Sequence, residues 1–381
     1  MSKTINPMQR QFRNPTEQIS AAIGIARVMC ILGIVYVHAW TGLDGYVLGT
    51  VNETPQGMLR WGLIELVGRS AVPLLGMISG WLVAGSVERR PWGVFIGGKA
   101  RTILLPMVLW NAIAILTVSS AARLGLIQAP MADSLWWVVD ELFCLITAND
   151  INVQMSFLRD LFLCMVAATV LRRLPSWALV AVVLATVAWT ISWWSFPLLL
   201  RPSILSFFVI GMLARRGGWA AWLGARPIAL VALPYLALVA ARVWTETAGA
   251  ATLAEHASYV ATLDLMLRGA AALLFWSIAW RLAASRAAAP ILRIEPYAFL
   301  MFCAHLIMIW LGGPVIGKLT GPLGSPLYPL FLLFQPALAM LATIGLGRLL
   351  LAVAPNAAFI LSGGRLKSTE EPRRALSPVT G

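Results

Sequence analysis

The sequence predicts an all-α integral membrane protein of about ten transmembrane helices with both termini in the cytoplasm. Three observations carry that prediction. The 381 residues are 59% hydrophobic and only 12% charged, with a mean hydropathy of +0.80, whereas soluble globular domains carry about twice that share of charge. Ten apolar runs approach the ~20 residues that a helix needs to cross a bilayer. The basic residues alternate from side to side along those runs, as the positive-inside rule requires.

Residues 1–19 form a polar, mildly basic cytoplasmic segment, and the run that follows is too long for a cleaved signal. The transmembrane domain extends over 20–353, with spans near 20–41, 61–86, 97–121, 155–171, 177–195, 199–214, 228–245, 258–282, 290–312 and 327–353. The second span is over-long and contains Pro73, which predicts a kink or a re-entrant start. Residues 134–148, with Trp136 and Trp137, suit a short interfacial helix. Residues 354–381 are polar and rich in Pro and Gly, and composition places them in a disordered cytoplasmic tail.

With the N-terminus inside, 20 of the 29 Lys and Arg residues fall on the cytoplasmic side. They include Arg89, Arg90, Lys99 and Arg101 between the second and third spans, and Arg365 in the tail. Five fall outside, at Arg60, Arg123, Arg201, Arg242 and Lys318, and four lie within spans. The net charge of +13 is thereby explained by membrane topology, with no nucleic-acid partner. A soluble enzyme, a disordered chain and a fibrous chain are excluded by the same composition. Cys30, Cys144, Cys164 and Cys303 show no C-x-x-C pairing and read as small hydrophobes, not as metal ligands or a disulfide framework.

A charge at the bilayer centre costs about 2.5–3.5 kcal/mol on insertion scales, so each one within a span is a functional candidate. The spans hold Arg27, Glu65, Arg69, Arg159, Asp160, Asp264 and Arg268, joined by His38 and His305. The topology brings all but Arg27 toward one level in the outer half of the membrane. Arg27 and His38 are eleven residues apart, almost three helical turns, so they share a helix face at a separation of ~16 Å. Read as structure alone, they are two unrelated polar residues. The neighbours Arg159 and Asp160, and the i,i+4 pairs Asp264–Arg268 and Glu65–Arg69, have the spacing of mutually neutralising ion pairs. His256 falls in an outer loop, where it is solvated. Gly76-x-x-x-Gly80 is the spacing of close helix packing. Gly93 to Lys99 matches a phosphate loop in outline, but Ala100 replaces the hydroxyl that would hold magnesium. There is no H-E-x-x-H and no G-x-S-x-G, so metal ligation and a serine triad are not expected.

Five segments in register resemble the membrane-bound acyltransferase-3 family. Ile25-Ala26-Arg27 through Val37-His38-Ala39 is similar to that family's first helix, with its Arg-x10-His motif. Val72-Pro73-Leu74 followed by Ile78-Ser79-Gly80-Trp81-Leu82 resembles the second helix. Lys99-Ala100-Arg101 with Leu104-Leu105-Pro106 and Leu109-Trp110 resembles the third. Phe157-Leu158-Arg159-Asp160-Leu161 resembles the fourth, and Pro296-Tyr297 through Ala304-His305 the ninth. The chain departs from the family at Ala298-Phe299-Leu300-Met301-Phe302, where a serine- and tyrosine-rich run is usual.

The resemblance implies an O-acyltransferase of the bacterial inner membrane that moves an acyl group, often acetyl, from acyl-coenzyme A to a carbohydrate or polysaccharide hydroxyl. Lys99, Arg101 and Arg27, with Arg89 and Arg90, would attract the phosphates of the cytoplasmic donor. His38 would act as general base or nucleophile. Arg69 or Arg159 would stabilise the oxyanion, and Asp160 or Asp264 would orient a histidine, with His305 nearby. Membrane lipid is the surrounding solvent. A multi-span transporter or flippase of a glycan-related substrate is the rival class, because it too needs polar residues within spans. The Arg-x10-His and Lys-x-Arg motifs favour the enzyme.

Overall fold

The computed structural model describes residues 15–43, 47–48, 51, 54–69, 71–86, 91–192, 194, 196–247 and 257–367. Arg89, Arg90 and His256 lie outside the described residues. Helices dominate, and the strand-like geometry among the described residues is one isolated bridge between Phe196 and Leu199.

The first helix, α1, is Pro15–Val37. α2 (Pro55–Gly62) runs into a π-helical turn at Leu63–Gly68, and α3 is Ala71–Ser86. α4 extends over Trp92–Arg123 and contains two further π-helical stretches, Ala100–Leu104 and Ile115–Ser119. The interfacial segment becomes α5 (Leu135–Phe143), with Ser134 as its N-cap accepting from the Trp137 N–H. α6 (Met155–Leu171), α7 (Ser176–Ile191) and α8 (Ser203–Arg216) follow. α9 (Trp219–Gly224) and α10 (Ile228–Thr247) lead to α11 (Ala257–Ala283). α12 (Ala288–Thr320), α13 (Tyr328–Val353) and α14 (Pro355–Leu361) complete the chain.

Seven helices among the described residues are long and apolar enough to cross a membrane. α6, α7 and α8 coincide with the fourth to sixth expected spans, but their 17, 16 and 14 residues make them shorter. At 1.5 Å per residue they reach about 21–26 Å, short of a ~30 Å hydrocarbon core. Large apolar side chains such as Trp244, Leu319, Leu341 and Val353 face outward, as suits a bundle whose solvent is lipid.

Small residues set how closely the helices approach. A Cβ at Gly80 would overlap the Phe208 carbonyl, and one at Gly211 would overlap the Met77 carbonyl, so α3 and α8 meet backbone to backbone. α1 and α12 pack side by side in the same direction. Gly24 meets Leu292 and Glu295 near their starts, and His38 meets His305 farther along. α3 runs opposite to α1, because Gly68 just ahead of it sits against Gly33 and Val37. The near end of the bundle, holding the start of α1, therefore also holds the ends of α3, α8 and α13.

The structure departs from the sequence reading after residue 354. Residues 355–367 were assigned to the disordered tail by composition, yet they form α14 and a turn packed on the bundle. The Trp110 indole N–H donates to the Leu361 carbonyl at 3.0 Å, and Leu366 is buried. The apolar stretch 357–361 is too short for a span, and the polar residues that follow it dominate the composition of 354–381.

Candidate functional site

Two cavities lie one above the other along α1. The near cavity, of about 150 Å³, is lined by Arg27, Lys99, Thr102, Glu295 and Arg365 together with apolar residues. The far cavity, of about 670 Å³, is lined by His38, Arg69, Gln154, Trp189, Arg201 and Arg268, with Pro73 and Ile204 among its apolar residues. Phe157 and Phe302 border both. Their ring centroids are 5.9 Å apart, so this phenyl pair is the partition between the two chambers.

Arg27 points into the near cavity and donates from Nη1 to Glu295 Oε1 at 3.1 Å. Glu295 went unremarked in the sequence because it sits at the polar start of an apolar run, one residue ahead of Pro296. Lys99 lines this cavity and lies over the Phe95 ring at 5.6 Å. Arg101 does not line either cavity.

His38 follows the last turn of α1, and its ring lies 5.5 Å from that of His305, centroid to centroid. His305 is fully buried, with Nδ1 at 3.1 Å from the Met301 carbonyl and 3.0 Å from that of Phe302. Facing two acceptors, Nδ1 must carry the proton, which leaves Nε2 as a lone pair in the neutral ring. Nε2 finds no hydrogen-bond partner among the described residues. His305 thus presents a buried acceptor beside His38, which itself reaches the far cavity.

The far cavity is cationic. Arg69, Arg201 and Arg268 line it, with no carboxylate among its lining residues. Arg69 is carried there by the π-helical turn at Leu63–Gly68, closed by its N–H donating to the Ile64 carbonyl at 2.8 Å. It pairs with Glu65 at 2.9 Å while keeping 43% of its side chain exposed. Asp264 sits 2.8 Å from Arg242 and 3.9 Å from Arg268, so the expected i,i+4 pair is the looser of its two contacts. The sequence reading counts Arg242 and Arg201 on the outer side; their place near span ends is legible there, but which way each one faces is not.

Among the described residues, the hydrogen-bond and ion-pair partners of Asp160 and Asp264 include no histidine. Asp160 is fully buried, receives Arg159 at 2.7 Å and accepts from the N–H groups of Leu200 and Arg201 at 3.3 and 2.8 Å. Arg159 also donates to the carbonyls of Leu145, Pro197 and Leu198. This pair clamps the loop that delivers Arg201 to the cavity, and Arg159 itself lines neither chamber. The Asp160 oxygens and the Arg159 guanidinium are spent on each other and on backbone groups of the neighbouring loops.

The segment between α4 and α6 reaches the far cavity through Val153 and Gln154. The Glu141 carboxylate accepts from the N–H groups of Asp150, Ile151 and Asn152, and Asn152 accepts from Gln154 at 3.1 Å. Burial pushes Glu141 above the usual carboxylate range, and those three hydrogen bonds only partly offset it. Gln154 was not anticipated, since an amide in a loop carries no sequence signature.

Fold and site define an integral membrane protein with two polar chambers and a histidine pair at the far one. The chain belongs to the acyltransferase-3 family, whose model, described as an acyltransferase domain, matches residues 20–352. It is an O-acyltransferase. It is 28% identical, over 389 aligned positions, to the succinoglycan biosynthesis protein ExoH of Rhizobium meliloti (strain 1021), with 95% of this chain and 96% of that protein covered. No solved structure matches the chain significantly.

Proposed function

We propose that the enzyme transfers an acyl group, acetyl in the simplest case, from cytoplasmic acyl-coenzyme A to a hydroxyl of a polysaccharide or its precursor at the outer face of a bacterial plasma membrane. On this reading ten helices cross the membrane with both termini inside, and the shorter α6–α8 sit where the cavities thin the barrier. The observation that carries it is the pair of chambers along α1, with Arg27 in one, His38 in the other and the Phe157–Phe302 partition between them. Similarity to a protein named for polysaccharide biosynthesis supports the acceptor class.

The donor's anionic head enters the near cavity beside Arg27 and Lys99, and its arm passes the phenyl partition toward His38. His38 takes the proton of the acceptor hydroxyl as the oxygen attacks the thioester carbon. The oxygen–carbon bond forms, the carbon–sulfur bond breaks, and the departing thiolate receives the proton from His38. Arg69, Arg201 and Arg268 face the developing oxyanion with positive charge. His305, reached through its neighbour's ring, positions His38 and does not touch substrate.

His38→Ala tests the assignment. Folded protein should lose about 10²–10⁴-fold in transfer rate, the usual worth of a general base. In sealed vesicles of known orientation, acyl-coenzyme A should be consumed only when supplied to the cytoplasmic face. Near-normal transfer by the variant, or equal consumption from both faces, would overturn the reading.

A further inference from the structure

We infer that the turn after α14 completes the donor site, and that Arg365 is a ligand for the diphosphate of the acyl-coenzyme. The inference rests on the function proposed above and adds a residue that the motif resemblance does not reach.

The turn is built to deliver this side chain. Gly363 and Gly364 take φ of +61° and +82°, conformations that reverse the chain and that L side chains rarely adopt. A Cβ at Gly363 would also press on the Thr102 carbonyl at 2.5 Å, so the turn lies directly against the π-helical stretch that follows Lys99. The Ser362 hydroxyl accepts from the N–H groups of Arg365 and Leu366 at 3.2 and 2.9 Å, and buried Leu366 packs at Gly347. Trp110 holds Leu361 from the other side. Four anchors for thirteen residues fix where Arg365 points.

It points into the near cavity, where its guanidinium stacks 4.0 Å over Phe299. Only Nη1 is engaged, with the Ser362 and Gly363 carbonyls at 3.1 and 3.4 Å; Nε and Nη2 make no hydrogen bond among the described residues. The residue is exposed, and the near cavity is a space onto which its side chain opens. Desolvation by the surrounding protein, and then the like charge of Arg27, lowers its guanidinium to about 10, so it remains charged at neutral pH. Arg27, Lys99 and Arg365 line this cavity, and Glu295, the carboxylate among its lining residues, is paired with Arg27. A plug for this end of the bundle would need only apolar atoms. An arginine beside Arg27 with its planar donor fork left open toward a cavity, and no carboxylate of its own among the described residues, is the arrangement that a doubly charged diphosphate satisfies.

The test uses the full chain in detergent and titrates coenzyme A and, separately, pantetheine, which has the arm but no phosphate. Wild-type protein should bind coenzyme A. Arg365→Gln should bind it at least tenfold more weakly and bind pantetheine as wild type does. In turnover, the KM for the acyl donor should rise by a similar factor, with kcat and the acceptor KM nearly unchanged. Arg365→Lys keeps the charge and the stack, so it should fold and bind with intermediate affinity even if the Gln variant does not fold. Equal coenzyme A affinity in wild type and variants would overturn the role of Arg365 and leave the proposed function standing. Equal losses for coenzyme A and pantetheine would overturn the phosphate contact. Absence of coenzyme A binding by the wild type would overturn the proposed donor, and this inference with it.

Discussion

Arg27 and Glu295 should behave oppositely toward the donor although they form one ion pair. At 3.1 Å, two unit charges attract by about 5 kcal/mol at an effective dielectric of ~20 and by about 1 kcal/mol in bulk water. Their side chains stay 34% and 25% exposed, so solvent screens the pair, and desolvation cancels part of the rest. A net coupling of about 1–2 kcal/mol is expected from a double-mutant cycle of Arg27→Gln and Glu295→Gln, read by thermal unfolding in detergent. The same four proteins are then titrated with coenzyme A. Removing Arg27 takes a cation from the near cavity and should weaken binding about tenfold or more. Removing Glu295 takes away the carboxylate among the cavity's lining residues, which competes for Arg27, so binding should tighten or stay level. A Glu295→Gln variant that loses donor affinity as Arg27→Gln does would refute the view of this chamber as an anion site. It would make the ion pair, not the cavity's positive charge, the feature that matters.

His305→Gln should lower kcat by about 10–100-fold with little change in either KM, and should move the apparent pKa of the pH–rate profile, as expected for a residue that acts through His38. Phe302→Ala opens the partition between the chambers, so acyl-coenzyme A hydrolysis measured without acceptor should rise while transfer to acceptor falls; unchanged hydrolysis would mean that water is excluded elsewhere. Asp140, in the outer segment, is pushed up by burial, but hydrogen bonds from the Thr147 hydroxyl and from backbone N–H groups more than offset this and hold it below the usual carboxylate range. Its stabilising contribution is therefore full above the unfolded pKa of ~3.9 and is lost as pH falls through the lower folded value. Asp140→Asn should flatten the acid limb of the unfolding profile, and an unchanged limb would contradict this.

What the sequence discloses about this fold follows from what a bilayer requires. An apolar run must be helical because its backbone has no water to bond with, so α1, α3, α4 and α10–α13 are legible from hydropathy alone. Gly76 and Gly80 are legible as a packing stripe, and the contact of α3 with α8 has that character, but the partner helix is a tertiary fact. The same boundary runs through the site. His38 and Arg27 sit on one helix, so their shared face and spacing follow from 3.6 residues per turn. Arg201 and Glu295 reach the chambers from other elements, and nothing local says that a charge near the end of an apolar run turns inward. Arg159 and Asp160 illustrate the converse, since charges conspicuous in a span are here spent on loop carbonyls and N–H groups. Their cost in the membrane is offset by fixing the loop that carries Arg201, a cation that the sequence read as peripheral. Intramembrane charge is thus a guide to where the structure needs polar atoms, and only the burial and partners of each one separate a scaffold from a reactive centre.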